Sequence, residues 1–262
     1  MSDDLGPFGR PHSSYAEYST RYEHVVMTRD DGILEMRLHT DGGPLAWGDG
    51  PHSELGHCFH DVGSDPENRV IILTGTGDGF IDRMDRSWVR PMTPGLWGRL
   101  YFNGARLLNA LLAIEAPVIS AVNGPARVHA ELAVLADIVV ASETAVFQDA
   151  PHFRHGTVPG DGVQLVWPYL LGPNRGRVFL LTGQRISAQE ALDLGVVAAV
   201  TSPDELMPRA RAYAAELARQ PTAILRYTRA ALNHQLRRMM LDTTAAGLAF
   251  EGLGAHATWP SE

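Results

Sequence analysis

Two side chains in the middle of the chain have the types needed for acid–base chemistry. His152 lies in FQDAPHF, in a predicted loop after a strand, where an imidazole with an ordinary pKa of about 6.5 can take a proton from water. Asp161 follows in VPGDG, and its carboxyl could deliver a proton to a substrate. Each also has a structural interpretation, because a lone histidine is usually structural and Pro-Gly-Asp-Gly is typical of a turn or a helix cap.

Signals for a metal or a nucleotide are weak. The chain has 11 histidines, but His52, His57 and His60 have no carboxylate partner that would complete a ligand set. The run ILTGTG lacks the full spacing of a dinucleotide-binding fingerprint. We therefore predict no metal, no nucleotide and no other cofactor.

The composition indicates a globular protein with one main domain. Of the 262 residues, 45% are hydrophobic and 20% are charged, and no stretch approaches the roughly 18 uncharged apolar residues of a membrane span. The formal net charge of −8 disfavours a nucleic acid or a membrane as partner and favours a small uncharged substrate. A single cysteine, Cys58, excludes a disulfide within the chain. No secretory signal is visible at the start, which favours the cytoplasm.

Strands and helices alternate along the chain and predict an α/β fold with mainly parallel strands. Residues 1–20 are expected to form a loose N-terminal arm, residues 21–200 the core, and residues 201–262 a C-terminal helical segment. Asp31-Gly32 supplies the positive φ of a hairpin turn. The other core segments, in chain order, are the helix SELGHCFHDVGSDPENR, the strand RVIILTGTG, a helix over 100–114, the strand PVISAVNGP, a helix over 131–135 and the strand DIVVASE.

Several segments in this order are similar to the crotonase, or enoyl-CoA hydratase, superfamily. They are ILTGTGDGF, APVISAVNGPARVHAELAVLADIVVASETAVF, VPGDG and LLTGQRISAQEALDLGVV. The resemblance covers roughly residues 22–252 and implies a spiral of ββα units. It also implies that the C-terminal helical segment completes the active site and assembles the chain into a homotrimer or a dimer of trimers.

The chain departs from the hydratases where they hold their thioester substrate. Their glycine-rich turn is replaced by the segment 126–130, ARVHA, which has no glycine for a close backbone approach to a ligand. Glu131 stands at the position of one hydratase glutamate, but His152 replaces the second. A normal thioester oxyanion hole is therefore not expected.

The altered set is similar to the β-diketone hydrolases of the 6-oxocamphor hydrolase type. The matching segments are LAWG at Trp47, VHAE at His129, FQDAPHF at His152, VPGDG at Asp161 and AFEGL at Glu251. The resemblance implies a retro-Claisen cleavage of a cyclic or bicyclic diketone to a chiral keto acid. His152, held by Glu251 or Asp161, would be the base. Asp161 would protonate carbon, and Glu251 could instead orient the water. Trp47 and His129 would donate hydrogen bonds to a carbonyl.

Three alternatives remain open from the sequence. The first is that three of the site residues are structural. Glu251 could be a solvated helix charge, His129 a histidine at a helix start, and Trp47 a core tryptophan. The protein could act on a CoA thioester as a hydratase, isomerase or hydrolase, or it could be a non-catalytic RNA-binding relative, which the negative charge opposes. The segment DRMDRSWVRPMTPGLWG, with Trp88 and Trp97, is expected to line or cover the pocket. The diketone could be derived from camphor, be a simpler bicyclic diketone or be a natural-product intermediate.

Overall fold

The computed structural model of the protein describes residues 13–85 and 91–258. Its strands are β1 (Val25–Asp30), β2 (Ile33–Leu38), β3 (Leu45–Trp47), β4 (Val70–Thr74), β5 (Ile81–Met84), β6 (Val118–Val122), β7 (Ile138–Ser142), β8 (Val146–Phe147), β9 (Ile186–Ser187) and β10 (Ala199–Thr201). Its helices are α1 (Tyr15–Tyr18), α2 (Asp49–Ser64), α3 (Pro94–Ala113), α4 (Glu131–Val134), α5 (Val163–Leu171), α6 (Pro173–Thr182), α7 (Ala188–Asp193), α8 (Pro203–Leu217) and α9 (Thr222–Thr258).

A six-stranded sheet in the order β1–β2–β4–β6–β7–β10 forms the centre of the described chain. The first pair is antiparallel and every other pair is parallel. All residues of β4 and β6 are buried, as expected for continuous apolar strands that are covered on both faces of a parallel sheet. These observations confirm the predicted α/β class.

The predicted hairpin turn is present between β1 and β2. Asp31 has a φ of 43° and Gly32 a φ of 77°, and Asp30 pairs directly with Ile33 across the two-residue turn. A two-residue turn of this hand needs positive φ at both central positions, which Asp and Gly tolerate best. The turn residues therefore fix the register of the first strand pair.

Residues 13–20 pack against the core, in contrast to the loose arm expected from their composition. Tyr18 is fully buried, its hydroxyl donates to Asp65 Oδ2 at 2.7 Å, and the Asn68 side-chain amide donates to it at 2.8 Å. A buried tyrosine hydroxyl needs such partners, and they tie α1 to the end of α2. The rest of the predicted arm, residues 1–12, lies outside the described residues.

Helices α2 and α3 cover one face of the sheet and contribute to the site. The predicted apolar face of α2 is buried through Leu55, Cys58, Phe59 and Val62. Helix α3 begins at Pro94, ahead of the predicted start near residue 100, because Thr93 Oγ1 accepts from the Leu96 amide at 3.2 Å and proline suits the first turn.

The C-terminal helical segment lies on both sides of the sheet. Helix α8 packs against β4, β6 and β7. Helix α9 extends over 37 residues and is fixed near its start by Arg229, which is 2% exposed. The Arg229 guanidinium donates to Asp137 Oδ2 at 2.6 Å and to the Leu112 carbonyl at 3.2 Å. One buried cation thus joins α9 to the end of α3 and to the loop before β7.

Two glycines bring the far part of α9 against the loop that contains Asp161. A Cβ built on Gly247 would lie 2.1 Å from the Gly160 carbonyl oxygen, and one built on Gly160 would lie 2.1 Å from that of Gly247. Backbone contacts this close exclude any side chain at either position. One turn later on the same helix, Glu251 is therefore placed beside the Asp161 loop.

None of the helices within residues 13–85 and 91–258 is long and apolar enough to cross a membrane.

The contact between Gly247 and Gly160 gives a stability prediction. Replacing Gly247 with Ala forces two backbones apart, and we expect the free energy of unfolding to fall by about 1–3 kcal/mol, the usual cost of overpacking. Gly98 is the matched control, because it lies within α3 with nothing within 4 Å of a built Cβ. Gly98→Ala is expected to raise stability by up to about 1 kcal/mol. Chemical denaturation of the two variants measures both effects, and equal effects would contradict the assigned contact.

Candidate active site

A cavity with about 580 Å³ of empty space, counting its open mouth, contains all five residues singled out in the sequence. They are Trp47, His129, His152, Asp161 and Glu251. Each comes from a different segment: the end of β3, the turn before α4, the loop after β8, the loop before α5 and helix α9. The lining also has an apolar part, called here the apolar wall, which is formed by Met84, Trp97, Leu100, Val128 and Leu248.

Carboxyl groups lie near both ring nitrogens of His152, and one of them holds the ring. Its Nδ1 lies 2.6 Å from Asp149 Oδ1, whereas its Nε2 lies 3.5 Å from Asp161 Oδ2 and 3.8 Å from Glu251 Oε1. The loop itself is fixed because the His152 carbonyl accepts from the amides of His155 and Thr157. The short contact to Asp149 orients the ring, and the Nε2 edge faces the other two carboxyls in the cavity.

Asp149 is a site residue that the sequence analysis missed. It precedes His152 by three residues in FQDAPHF, and only 4% of it is exposed. The expected partners for orienting the ring were Glu251 and Asp161, yet both lie beyond a good hydrogen-bond distance. An acidic residue three positions before a candidate histidine is the signal that could have identified it.

His52 is the second missed residue of the cavity. It lies in the first turn of α2, its ring meets that of Trp47 edge-on at 5.8 Å, and it is 6.5 Å from the ring of His129. Burial, reinforced by the nearby His129, lowers the pKa of His52 to about 3. His52 is therefore neutral at neutral pH, and the sequence offered no signal beyond its position shortly after Trp47.

His129 occupies the turn where the hydratases carry glycine. It has a φ of 46°, in the left-handed region that a side chain rarely adopts. Its Nδ1 lies 2.5 Å from Glu131 Oε1 and 3.5 Å from Asp161 Oδ2, and its ring stacks on Trp47 with centroids 4.0 Å apart. His129 therefore combines a backbone conformation that is typical of glycine with an imidazole that lines the cavity.

The buried groups shift one another's protonation. Burial lowers the pKa of His152, but the carboxylates of Asp161 and Asp149 outweigh it and raise this pKa well above 6.5. Burial raises the pKa of Asp161, but His152 and His129 outweigh that effect and hold it below its usual range. Burial and the neighbouring Asp161 raise the pKa of Glu251 to about 8. At neutral pH the cavity therefore contains an ionised Asp161, a protonated His152 and a neutral Glu251.

Two groups of side chains are close enough to hold a cation. Ligand atoms of His129, Glu131 and Asp161 lie within 4.8 Å of one another, and so do those of His152, Asp161 and Glu251. In both groups the histidine Nδ1 is already hydrogen-bonded to a carboxylate. We interpret the arrangement as an acid–base network in which protons link the groups, and we assign no ligand set.

The segment expected to line the pocket does so in part. Met84 and Trp97 lie on the apolar wall. Trp97 packs against Gly252 of α9, where a built Cβ would lie 2.3 Å from the indole Nε1. Trp88 lies outside the described residues. Because Gly252 has no side chain, it leaves room for the Trp97 ring at the edge of the cavity.

Comparison with known proteins gives a matching family and a similar solved structure. The model of the family described as enoyl-CoA hydratase/isomerase matches residues 28–250. A β-diketone hydrolase from the cyanobacterium Anabaena sp. PCC 7120, bound to (S)-3-oxocyclohexyl acetic acid, is 46% identical, with 92% of this chain and 97% of that chain covered and a TM-score of 0.90.

Two curated relatives are named as CoA enzymes. A carnitinyl-CoA dehydratase from Salmonella typhimurium is 36% identical over 74% of this chain and 74% of its own length. A crotonyl-CoA hydratase from Syntrophomonas wolfei is 28% identical over 87% of this chain and 90% of its own.

The contact between Asp149 and His152 predicts a shift in titration. In Asp149→Asn one of the anions that raise the pKa of His152 is gone, so the ring should lose its proton at a pH lower by about 1 unit or more. An NMR titration of the imidazole nitrogens in the wild type and the variant measures this shift. Asp193→Asn, at an exposed position far along the chain, is the control and should leave the His152 titration unchanged. An unchanged pKa in Asp149→Asn would contradict the pairing.

Proposed function

This chain belongs to the enoyl-CoA hydratase/isomerase family, the crotonase superfamily, and we propose that it is a β-diketone hydrolase. Its α/β fold with a C-terminal helical segment is the crotonase-like fold expected from the resemblance. The proposed reaction is the retro-Claisen cleavage of a cyclic or bicyclic, 6-oxocamphor-like diketone to a chiral keto acid. The observation that carries it is the convergence of His152, Asp161, Glu251, His129 and Trp47 on one cavity.

In the first step His152 takes a proton from a water that attacks one carbonyl carbon of the diketone. The reactive form has a neutral His152 whose Nδ1–H donates to Asp149, so that Nε2 is the basic atom. Glu251, neutral at pH 7, lies 3.8 Å from Nε2 and orients the water. Because the base must be unprotonated, activity falls as the pH decreases through the raised pKa of His152.

In the second step the tetrahedral oxyanion collapses and the bond between the carbonyl carbon and the central carbon breaks. The electron pair passes into an enolate of the second carbonyl, whose oxygen accepts from the Trp47 indole N–H and the His129 ring. The proton taken from water returns from His152 Nε2 through Asp161, 3.5 Å away, to the enolate carbon. Water is thus divided into the hydroxyl of the new acid and the new C–H, and the chemistry consumes no cofactor.

The surroundings of the cavity support a small uncharged substrate over a CoA thioester. Met84 lines both the cavity and an outer groove. Among the described residues, that groove is lined by three aspartates and one arginine: Asp41, Asp49, Asp85 and Arg83. Phosphates bind where cations cluster, and three aspartates disfavour them. The identity to the Anabaena β-diketone hydrolase also exceeds the 36% and 28% shared with the CoA enzymes.

The decisive experiment is incubation of the purified protein with a bicyclic 1,3-diketone such as 6-oxocamphor, without any added cofactor. We expect loss of the diketone and formation of one enantiomer of a keto acid, followed by chiral chromatography. His152→Ala should lower kcat by at least about 100-fold. His60→Ala, at an exposed position on α2, is the matched control and should turn over normally. No turnover of several diketones, together with binding of crotonyl-CoA in a thermal-shift assay, would instead support the thioester activity.

We also propose a homotrimer or a dimer of trimers as the assembly. Large apolar side chains lie exposed along α9 in the single chain, at Ile224, Tyr227, Leu232, Leu241, Phe250 and Leu253. We take these side chains as the surface that would be buried between subunits. Light scattering coupled to size-exclusion chromatography should give the mass of three or six chains, and a monomer mass at micromolar concentration would contradict the proposal.

A further inference from the structure

Glu131 has no contact with the cavity in the described chain, yet it touches a residue that does. Its side chain is 1% exposed, and it lies behind His129, which lines the cavity. The 2.5 Å contact between Glu131 Oε1 and His129 Nδ1 spans only two residues of sequence. A carboxylate buried this completely needs cations or donors as partners, and the ring of His129 is one of them.

The backbone at His129 makes this contact possible. With a φ of 46° the chain turns sharply just before α4, which carries Glu131 in its first turn. Such a conformation is unfavourable for a residue with a side chain and persists where the surroundings enforce it. The hydrogen bond to Glu131 and the stacking on Trp47 at 4.0 Å both hold the ring in place.

The chemistry of imidazole then limits what His129 can do. If Nδ1–H donates to Glu131 and the ring is neutral, Nε2 carries a lone pair and can only accept a hydrogen bond. A carbonyl oxygen also only accepts, so a neutral His129 held in this way cannot bind it. When Glu131 is ionised and accepts from Nδ1–H, His129 therefore serves as a donor to a substrate carbonyl only with protons on both ring nitrogens.

We propose that Glu131 is a positioning residue that keeps His129 doubly protonated and turns its Nε2–H towards the substrate carbonyl. The inference rests on the proposed diketone hydrolase activity, in which that carbonyl becomes the enolate. Glu131 supplies the negative charge that compensates the buried ring cation, and it leaves the other ring nitrogen for the substrate. A cationic donor also stabilises the enolate more strongly than a neutral one.

The charged and titratable groups around His129 agree with this assignment. Asp161 Oδ2, from the loop before α5, is 3.5 Å from Nδ1. His152 from the loop after β8 opposes the positive charge, whereas His52 of α2 is neutral, and Glu251 of α9 faces the same cavity. Burial lowers the pKa of His129, but Glu131 and Asp161 outweigh it, so that the pKa is raised overall.

The first test uses the wild-type protein and needs no substrate. In protein labelled with ¹⁵N at histidine, the His129 signals are identified by their loss in His129→Gln. At pH 7 both nitrogens should show the shifts of a protonated ring. A ring with one unprotonated nitrogen at pH 7 would overturn the proposal, whether or not the protein hydrolyses diketones.

The second test uses Glu131→Gln, whose amide oxygen can still accept from Nδ1–H but carries no charge. We expect His129 to become neutral at pH 7 and kcat for the diketone to fall by about 100-fold, as when a donor to an oxyanion is removed, with KM changed by less than about threefold. Glu35→Gln, which removes the charge of a carboxylate paired with Arg211 on the far side of the sheet, is the matched control and should keep normal kcat.

A purely structural Glu131 would lower the melting temperature while His129 stayed protonated. That result, or an unchanged kcat with a neutral His129, would overturn the assignment.

Discussion

Charges buried in a protein must be compensated within a few ångström, and this requirement governs the arrangement of the cavity. Two histidines and four carboxyls lie together away from bulk water. They alternate in space: Glu131 contacts His129, Asp161 lies 3.5 Å from both His129 and His152, and Asp149 contacts His152. Because each imidazole lies between two acids, removing one member changes the protonation of its neighbours, and the groups titrate as one system.

The fold meets this requirement by bringing distant segments to one place. Loops that follow β6 and β8 carry His129 and His152, but Glu251 comes from a long helix that must approach a loop backbone at contact distance. Gly160 and Gly247 permit that approach, and the buried Arg229 fixes the direction of the helix nearer its start. The precision of the site thus depends on residues that perform no chemistry, which is usual for sites held in a preorganised geometry.

Much of the fold and of the site could be predicted from the sequence. The apolar runs of β4 and β6 and the Asp31-Gly32 turn carry their own local signals. The five residues that line the cavity were selected by resemblance, and their roles stay predictions. Asp149 has a local signal in its position three residues before His152, but Glu131 illustrates what local signals cannot supply, since its contact with His129 depends on burial and on the turn at His129. The place of His52 near His129 and the packing of Tyr18 likewise depend on contacts between segments that are distant in sequence. The early start of α3 was signalled by Thr93 and Pro94, but the apolar pattern begins later.

The position of Glu251 near the end of α9 has a consequence for how the protein acquires activity. Of the titratable residues around the cavity, it is the last to leave the ribosome, about ninety residues after Asp161. While the chain is being made, the sheet can form and bury its apolar strands before the cavity has its full set of acids. His152 therefore gains Glu251 as a neighbour only when the final helix docks, so that folding of the sheet and completion of the cavity are separate events.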